Sequence, residues 1–130
     1  MLVRASIRSA AKVREEGMAR RVGIVGIGIM GTAMMNNLLR DGFEVVGYDV
    51  AEGAMARRLA EAGGIAAASP RDVAEKAEIL ITSLPNVDAF EQVMAGQDGI
   101  ASSNGTGQIV IECSTLPIEV KARGHAQLAA

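Results

Sequence analysis

At 130 residues, 49% of them hydrophobic and 22% charged, with a formal net charge of −2, the chain has the balance of a single globular domain. It lacks the basic excess that would suit nucleic acid or an anionic membrane surface. Aromatic residues are only 2% and Trp is absent, which removes the stacking platforms of single-strand nucleic-acid binders. The lone Cys113 excludes an intrachain disulfide and argues against a Cys-based zinc site. No apolar run approaches the ~20 residues of a membrane span, so a cytoplasmic domain is expected.

Residues 1–17 differ from the rest. Arg4, Arg8, Lys12 and Arg14 precede the first acid, Glu15, and the segment reads as an N-terminal extension, poorly ordered and contributing little to the fold. The same basic, acid-poor composition is that of a transit peptide, which gives the mitochondrial matrix as the alternative location. The folded domain is expected over residues 20–130.

There the pattern alternates. A strand over Val22–Gly26 leads to a helix over Met30–Arg40, closed by Asp41-Gly42. Met30, Met34 and Leu38 recur at a spacing of four, which predicts the helix face that packs on the sheet. A second strand spans Glu44–Asp49, and a helix over Glu52–Glu61 ends at Gly63-Gly64. Ile65–Ala67 reads as a short strand. Ser69-Pro70-Arg71-Asp72 is a helix start, with a hydroxyl at the N-cap, proline at the first position and an acid at the third. Ile79–Leu84 is nearly continuous in apolar residues, as in a buried parallel strand. It is broken by Pro85-Asn86 and followed by a helix through Phe90 and Val93. Ile109–Ile111 is another buried strand, left with an unpaired outer edge that invites self-association. Pro117–Ala129 closes the sequence as a helix. Alternating strands and helices predict an α/β doubly wound parallel sheet with right-handed crossovers.

Within that order, Gly26-Ile27-Gly28-Ile29-Met30-Gly31 sits where the first strand turns into the first helix. A strand, a G-x-G-x-x-G turn, a helix, and a second strand ending in Asp49 form a dinucleotide-binding arrangement. Gly26 permits the tight turn, Gly28 leaves the backbone open to a pyrophosphate, and Gly31 allows close packing of the helix. The helix N-terminus offers free N–H groups and a positive dipole end. Asp49 suits adenine-ribose hydroxyls and repels a 2′-phosphate, which favours NAD over NADP. Arg57 and Arg58, two cations on an exposed helix face, could reach such a phosphate only if the helix start were displaced.

Ligands of such sheets bind beyond the carboxyl ends of the strands. Leu84-Pro85-Asn86 and Glu112-Cys113-Ser114-Thr115 lie on that rim. Ser114 and Thr115 are either ligand-binding hydroxyls or N-cap residues ahead of Pro117. Cys113 reads as a buried strand-end residue. Lys76 and Lys121 read as solvated helix positions, and His125 as a helix residue away from the strand ends.

The segments Val22–Gly31, Ile81–Asn86 and Glu112–Pro117 resemble, in order and spacing, the β-hydroxyacid dehydrogenases. These include the 3-hydroxyisobutyrate dehydrogenases and tartronate semialdehyde reductases, and are related to 6-phosphogluconate dehydrogenase. The resemblance covers about residues 20–130. It implies a Rossmann-like domain in which Gly26, Ile27, Gly28, Ile29, Met30 and Gly31 bind the cofactor phosphates and Asp49 the ribose. Leu84, Pro85 and Ser114 would line the cofactor, with Ser114 and Thr115 at its junction with substrate. Glu112 stands where the family usually has Asp, and Pro117 comes one position early. The family's catalytic lysine and all-α domain lie beyond Ala130, so no catalytic residue is assigned.

The expectation is thus the cofactor half of an oxidoreductase that transfers hydride to or from a small β-hydroxyacid. It would be inactive alone and part of a homo-oligomer at full length. The alternative is a non-catalytic NAD(H)-binding module. FAD or S-adenosylmethionine on the same loop fits the Ser-Thr segment less well.

Overall fold

The computed structural model describes residues 2–4 and 20–130. Strands β1 (Leu2–Arg4), β2 (Arg21–Val25), β3 (Glu44–Tyr48), β4 (Ile65–Ala66), β5 (Ile79–Thr82) and β6 (Ile109–Glu112) form one sheet. Its order is β1-β6-β5-β2-β3-β4. Strands β2 to β6 pair in parallel, as the doubly wound reading requires. The chain runs outward from β2 to β3 and β4, then returns to β5 on the other side of β2. That reversal creates a switch point, where the turns leaving β2 and β5 stand side by side.

The outer edge of β6 is paired, contrary to the sequence expectation. Strand β1 runs antiparallel along it, with Leu2 opposite Ile111 and Arg4 opposite Ile109. This pairing joins residues more than a hundred positions apart, beyond the reach of local pattern. The rest of the expected N-terminal extension lies outside the described residues.

The helices are α1 (Ile29–Arg40), α2 (Glu52–Glu61), α3 (Pro70–Lys76), α4 (Val87–Ala95) and α5 (Ile118–Ala129), and four of their ends are fixed by local chemistry visible in the sequence. Gly42, at φ +88°, closes α1: its N–H bonds the Leu39 carbonyl and the Phe43 N–H bonds that of Leu38. Gly63, at φ +90°, closes α2 in the same way through Ala60 and Leu59. Ser69 Oγ accepts the Asp72 N–H at 3.0 Å, and Asn86 Oδ1 accepts the Ala89 N–H at 2.8 Å, capping α3 and α4.

Alternation along the central strands sends side chains to both faces of the sheet. Ile24 and Val45 pack with Ile27, Met35 and Leu59 in one cluster. Val25 and Val46 pack with Val73, Leu80, Phe90, Met94 and Val110 in the other. On α1 the fully buried methionine is Met35, while Met34 and Leu38 are partly buried and Met30 is 63% exposed. The spacing-four stripe therefore misplaces Met30, because the first turn of α1 projects past the sheet towards the rim.

Asp72 ties α3 to the preceding turn. Its Oδ2 accepts from Lys76 Nζ at 2.8 Å and from the Ala68 N–H at 2.9 Å. The hydrogen bond from Lys76, then that from Ala68, holds its carboxyl below the usual carboxylate value. A carboxylate lowered on folding adds stability above its unfolded pKa, and that contribution fades as pH falls through the lowered value. Asp72→Asn is expected to cost about 0.5–1 kcal/mol at neutral pH, with the urea midpoints of variant and wild type converging in acid. A gap that persists unchanged at ~pH 2 would contradict this linkage.

Candidate functional site

The rim of the switch point is assembled from four strand ends. Val25 passes into Gly26, whose φ is +95° and whose N–H donates to the Tyr48 carbonyl at 3.0 Å. A Cβ at Gly26 would collide with the Ser83 carbonyl, and one at Gly31 with the carbonyl of Gly26. Gly31 thus brings α1 against the turn itself. Gly28 has nothing within 4 Å of where a Cβ would sit, so its backbone faces open space.

The Thr32 N–H donates to the Gly28 carbonyl at 2.9 Å, closing the first turn of α1. Gly28 is the N-cap and offers no side chain, so no cap hydrogen bond occupies the leading N–H groups. Ile29 and Met30, at 92% and 63% exposure, project from this turn. Ile27 points inward and is buried in the core.

Asp49 follows β3 and turns back onto the loop. Its Oδ2 accepts the Ile27 N–H at 2.7 Å and its Oδ1 the Ala51 N–H at 2.9 Å. A carboxylate offers about four lone-pair sites, so both oxygens keep acceptor capacity. A cleft of about 360 Å³ opens beside it, lined among others by Ile27, Tyr48, Met55, Leu59 and Ala67. Arg57 and Arg58 are exposed on α2, which starts where the sequence places it.

The other half of the rim is a buried polar network that sequence reasoning missed. Thr82 and Glu112 face each other at the ends of β5 and β6, and Thr82 Oγ1 donates to Glu112 Oε2. Glu112 Oε1 accepts the Ser114 N–H and lies 3.8 Å from Lys121 Nζ. Ser114 Oγ in turn accepts the Leu84 N–H at 2.7 Å. Thr82, Glu112 and Ser114 are all at least 95% buried. A signal did exist: two polar residues end adjacent, otherwise apolar strands.

Several sequence readings change accordingly. Ser114 does not cap α5, whose N-cap is Pro117 with no side-chain bond. Cys113 is exposed, since the alternation that turns Glu112 and Ser114 inward turns it out. Lys121 is a half-buried partner of Glu112, with 21% side-chain exposure. Thr115 and Pro85 are exposed on the rim and Leu84 is half-buried. Lys76 pairs with Asp72, and His125 is exposed. A Cβ on Gly26 would lie 3.3 Å from Leu84 Cδ2, so the two halves of the rim touch there. No group of three or more His, Cys, Asp or Glu able to hold a metal occurs among the described residues.

Glu112→Gln keeps the shape and lets its amide donate to the Thr82 hydroxyl while its oxygen accepts the Ser114 N–H, but it replaces a charge-assisted bond with a neutral one and removes the charge facing Lys121. The expected loss is about 2 kcal/mol by urea denaturation. Lys121→Met in the same background should recover part of it, since the two groups are coupled. Strictly additive losses would show that the pair does not interact.

Residues 21–130 match the family model described as the NAD binding domain of 6-phosphogluconate dehydrogenase. The chain is 37% identical over 115 residues to the mitochondrial 3-hydroxyisobutyrate dehydrogenase of Rattus norvegicus, covering 87% of this chain and 34% of that protein. It is 34% identical over 100 residues to the L-threonate dehydrogenase of Cupriavidus necator, covering 77% and 33%. Among solved structures, it superposes on the 3-hydroxyisobutyrate dehydrogenase of Mycobacterium tuberculosis with a TM-score of 0.73 and 25% identity, over 86% of this chain and 37% of that one. The chain therefore spans about a third of the length of these relatives. With the glycine turn, the switch point and the family model in agreement over residues 21–130, the chain belongs to the NAD-binding domain family of the 6-phosphogluconate and 3-hydroxyisobutyrate dehydrogenases.

Proposed function

We propose that residues 26–31 cradle the diphosphate of NAD, and that the chain is the cofactor half of an oxidoreductase acting on a small β-hydroxyacid. The observation that carries the reading is the uncapped start of α1 behind Gly28, with Asp49 at its side. Backbone N–H groups of Gly28, Ile29, Met30 and Gly31 suit phosphate oxygens, and the helix dipole adds to their pull. Gly26 and Ile27 set the path of the turn. The remaining acceptor sites of Asp49 suit the adenine-ribose hydroxyls, and its charge disfavours a 2′-phosphate. Adenosine then lies towards the cleft beside Tyr48 and Ala67.

Leu84 and Pro85 offer an apolar edge on the nicotinamide side, across Gly26 from the phosphates. Ser114 and Thr115 stand where cofactor and substrate would meet. When bound, the dinucleotide supplies or accepts the hydride; Leu84, Pro85 and Thr115 orient it and the substrate, and the buried Ser114 holds the Leu84 N–H behind them. The proton carried to or from the hydroxyl oxygen has no assigned donor among the described residues. Lys76 and Lys121 are committed to Asp72 and Glu112. We place the complete enzyme in the cytoplasm as a homo-oligomer. The described residues contain no helix long and apolar enough to cross a membrane.

Two titrations test the cofactor reading. NADH should saturate the chain and bind at least about tenfold more tightly than NADPH, a difference of about 1.4 kcal/mol. Gly28→Ala should lower NADH affinity by at least about tenfold while shifting stability by no more than about 1 kcal/mol, since a Cβ there meets nothing in the fold. Unchanged NADH binding by Gly28→Ala would contradict the cradle.

A further inference from the structure

The carboxylate of Asp49 reaches across 22 positions of sequence to hold the Ile27 N–H at 2.7 Å. Ile27 lies between Gly26, in a left-handed conformation, and Gly28, where an added Cβ would meet nothing. The neighbouring anchors of this turn are backbone bonds, from Gly26 to Tyr48 and from Thr32 to Gly28. Between them, the Asp49 bond fixes the plane of the Gly26–Ile27 peptide. It thereby helps set the direction in which the next N–H groups emerge. Oδ1 is held in turn by the Ala51 N–H, so the carboxylate is gripped from both sides.

We propose that Asp49 is a positioning residue for the phosphate loop as well as an acceptor for ribose, so that a replacement unable to hold the Ile27 N–H costs both NADH and NADPH the ordering of that loop. The inference rests on the reading of residues 26–31 as a phosphate cradle. A turn containing Gly26 and Gly28 is free to sample other conformations once its tie is cut, and ordering it again on binding opposes association. If Asp49 acted only as a charge that repels a 2′-phosphate, any neutral replacement would improve NADPH binding. If it latches the loop, a replacement must still reach the Ile27 N–H to show that gain. Asn carries one such acceptor oxygen; Ala carries none.

The test uses the 130-residue chain and its Asp49→Ala and Asp49→Asn variants. Hydrogen exchange of the Ile27 amide is read by NMR without nucleotide, then NADH and NADPH are titrated. The latch requires Ile27 exchange to speed up at least about tenfold in Asp49→Ala, and less in Asp49→Asn. It also requires NADPH to bind Asp49→Ala about tenfold more weakly than Asp49→Asn. Equal NADPH affinities in the two variants, or unchanged Ile27 exchange in a folded Asp49→Ala, would overturn it. Asp49→Ser, too short to span both N–H groups, carries the same requirements should Asp49→Ala not fold. If wild type binds neither nucleotide, the cofactor reading fails, and Ile27 exchange alone decides the latch.

Discussion

Between Val25 and Ile29 the chain must leave a buried central strand, turn under the backbone of Ser83, and enter a helix that presses against the turn it has just made. There is no room for a Cβ at Gly26 or Gly31, because carbonyl oxygens occupy both places. The close approach is what brings the first turn of α1 over the end of β2. From there its unfilled N–H groups, together with Ile29 and Met30, project onto the rim. A side chain at either glycine would push the helix away and displace the N–H groups of its first turn.

The two sides of the switch point are stiffened by different means. On the β3 side, backbone bonds and the single carboxylate of Asp49 hold the turn. On the β5–β6 side, Glu112 gathers Thr82, Ser114 and Lys121, and Ser114 passes the constraint to Leu84. A buried carboxylate is costly unless paired and hydrogen-bonded, and here it is both. The extra methylene of Glu over Asp adds reach to a carboxylate that serves two strand ends and a helix together. Gly26 and Leu84 are the points where the two sides meet, so a dinucleotide lying across them would be braced from both strand ends.

Features set by short-range backbone chemistry were legible in the sequence. The glycine turn, the Ser69-Pro70-Asp72 start and the Gly42 and Gly63 stops each depend on a few adjacent residues, and all stand where the sequence places them. The alternation of elements sufficed for the parallel pairing of β2 to β6. Features that depend on distant partners were not legible. Lys121 looks solvated until α5 is laid against Glu112, and Ser114 looks like a cap until β5 brings the Leu84 N–H to it. Met30 has the right spacing for the core but lies on a turn that overhangs the sheet. Cys113 is turned outward by the same alternation that buries its two neighbours. The edge of β6 is covered by a strand from the far end of the sequence.

In the function we propose, the start of α1 and Asp49 beside it form one phosphate-binding rim. An NMR titration of the chain with NADH tests this most directly, because it reports on each backbone amide separately. Saturable shifts are expected to be largest at Gly28, Ile29, Met30 and Gly31, smaller at Asp49 and Leu84, and absent at the remote Schellman-type turn around Gly42. Shifts centred away from residues 26–31, or none at all at saturating NADH, would contradict it.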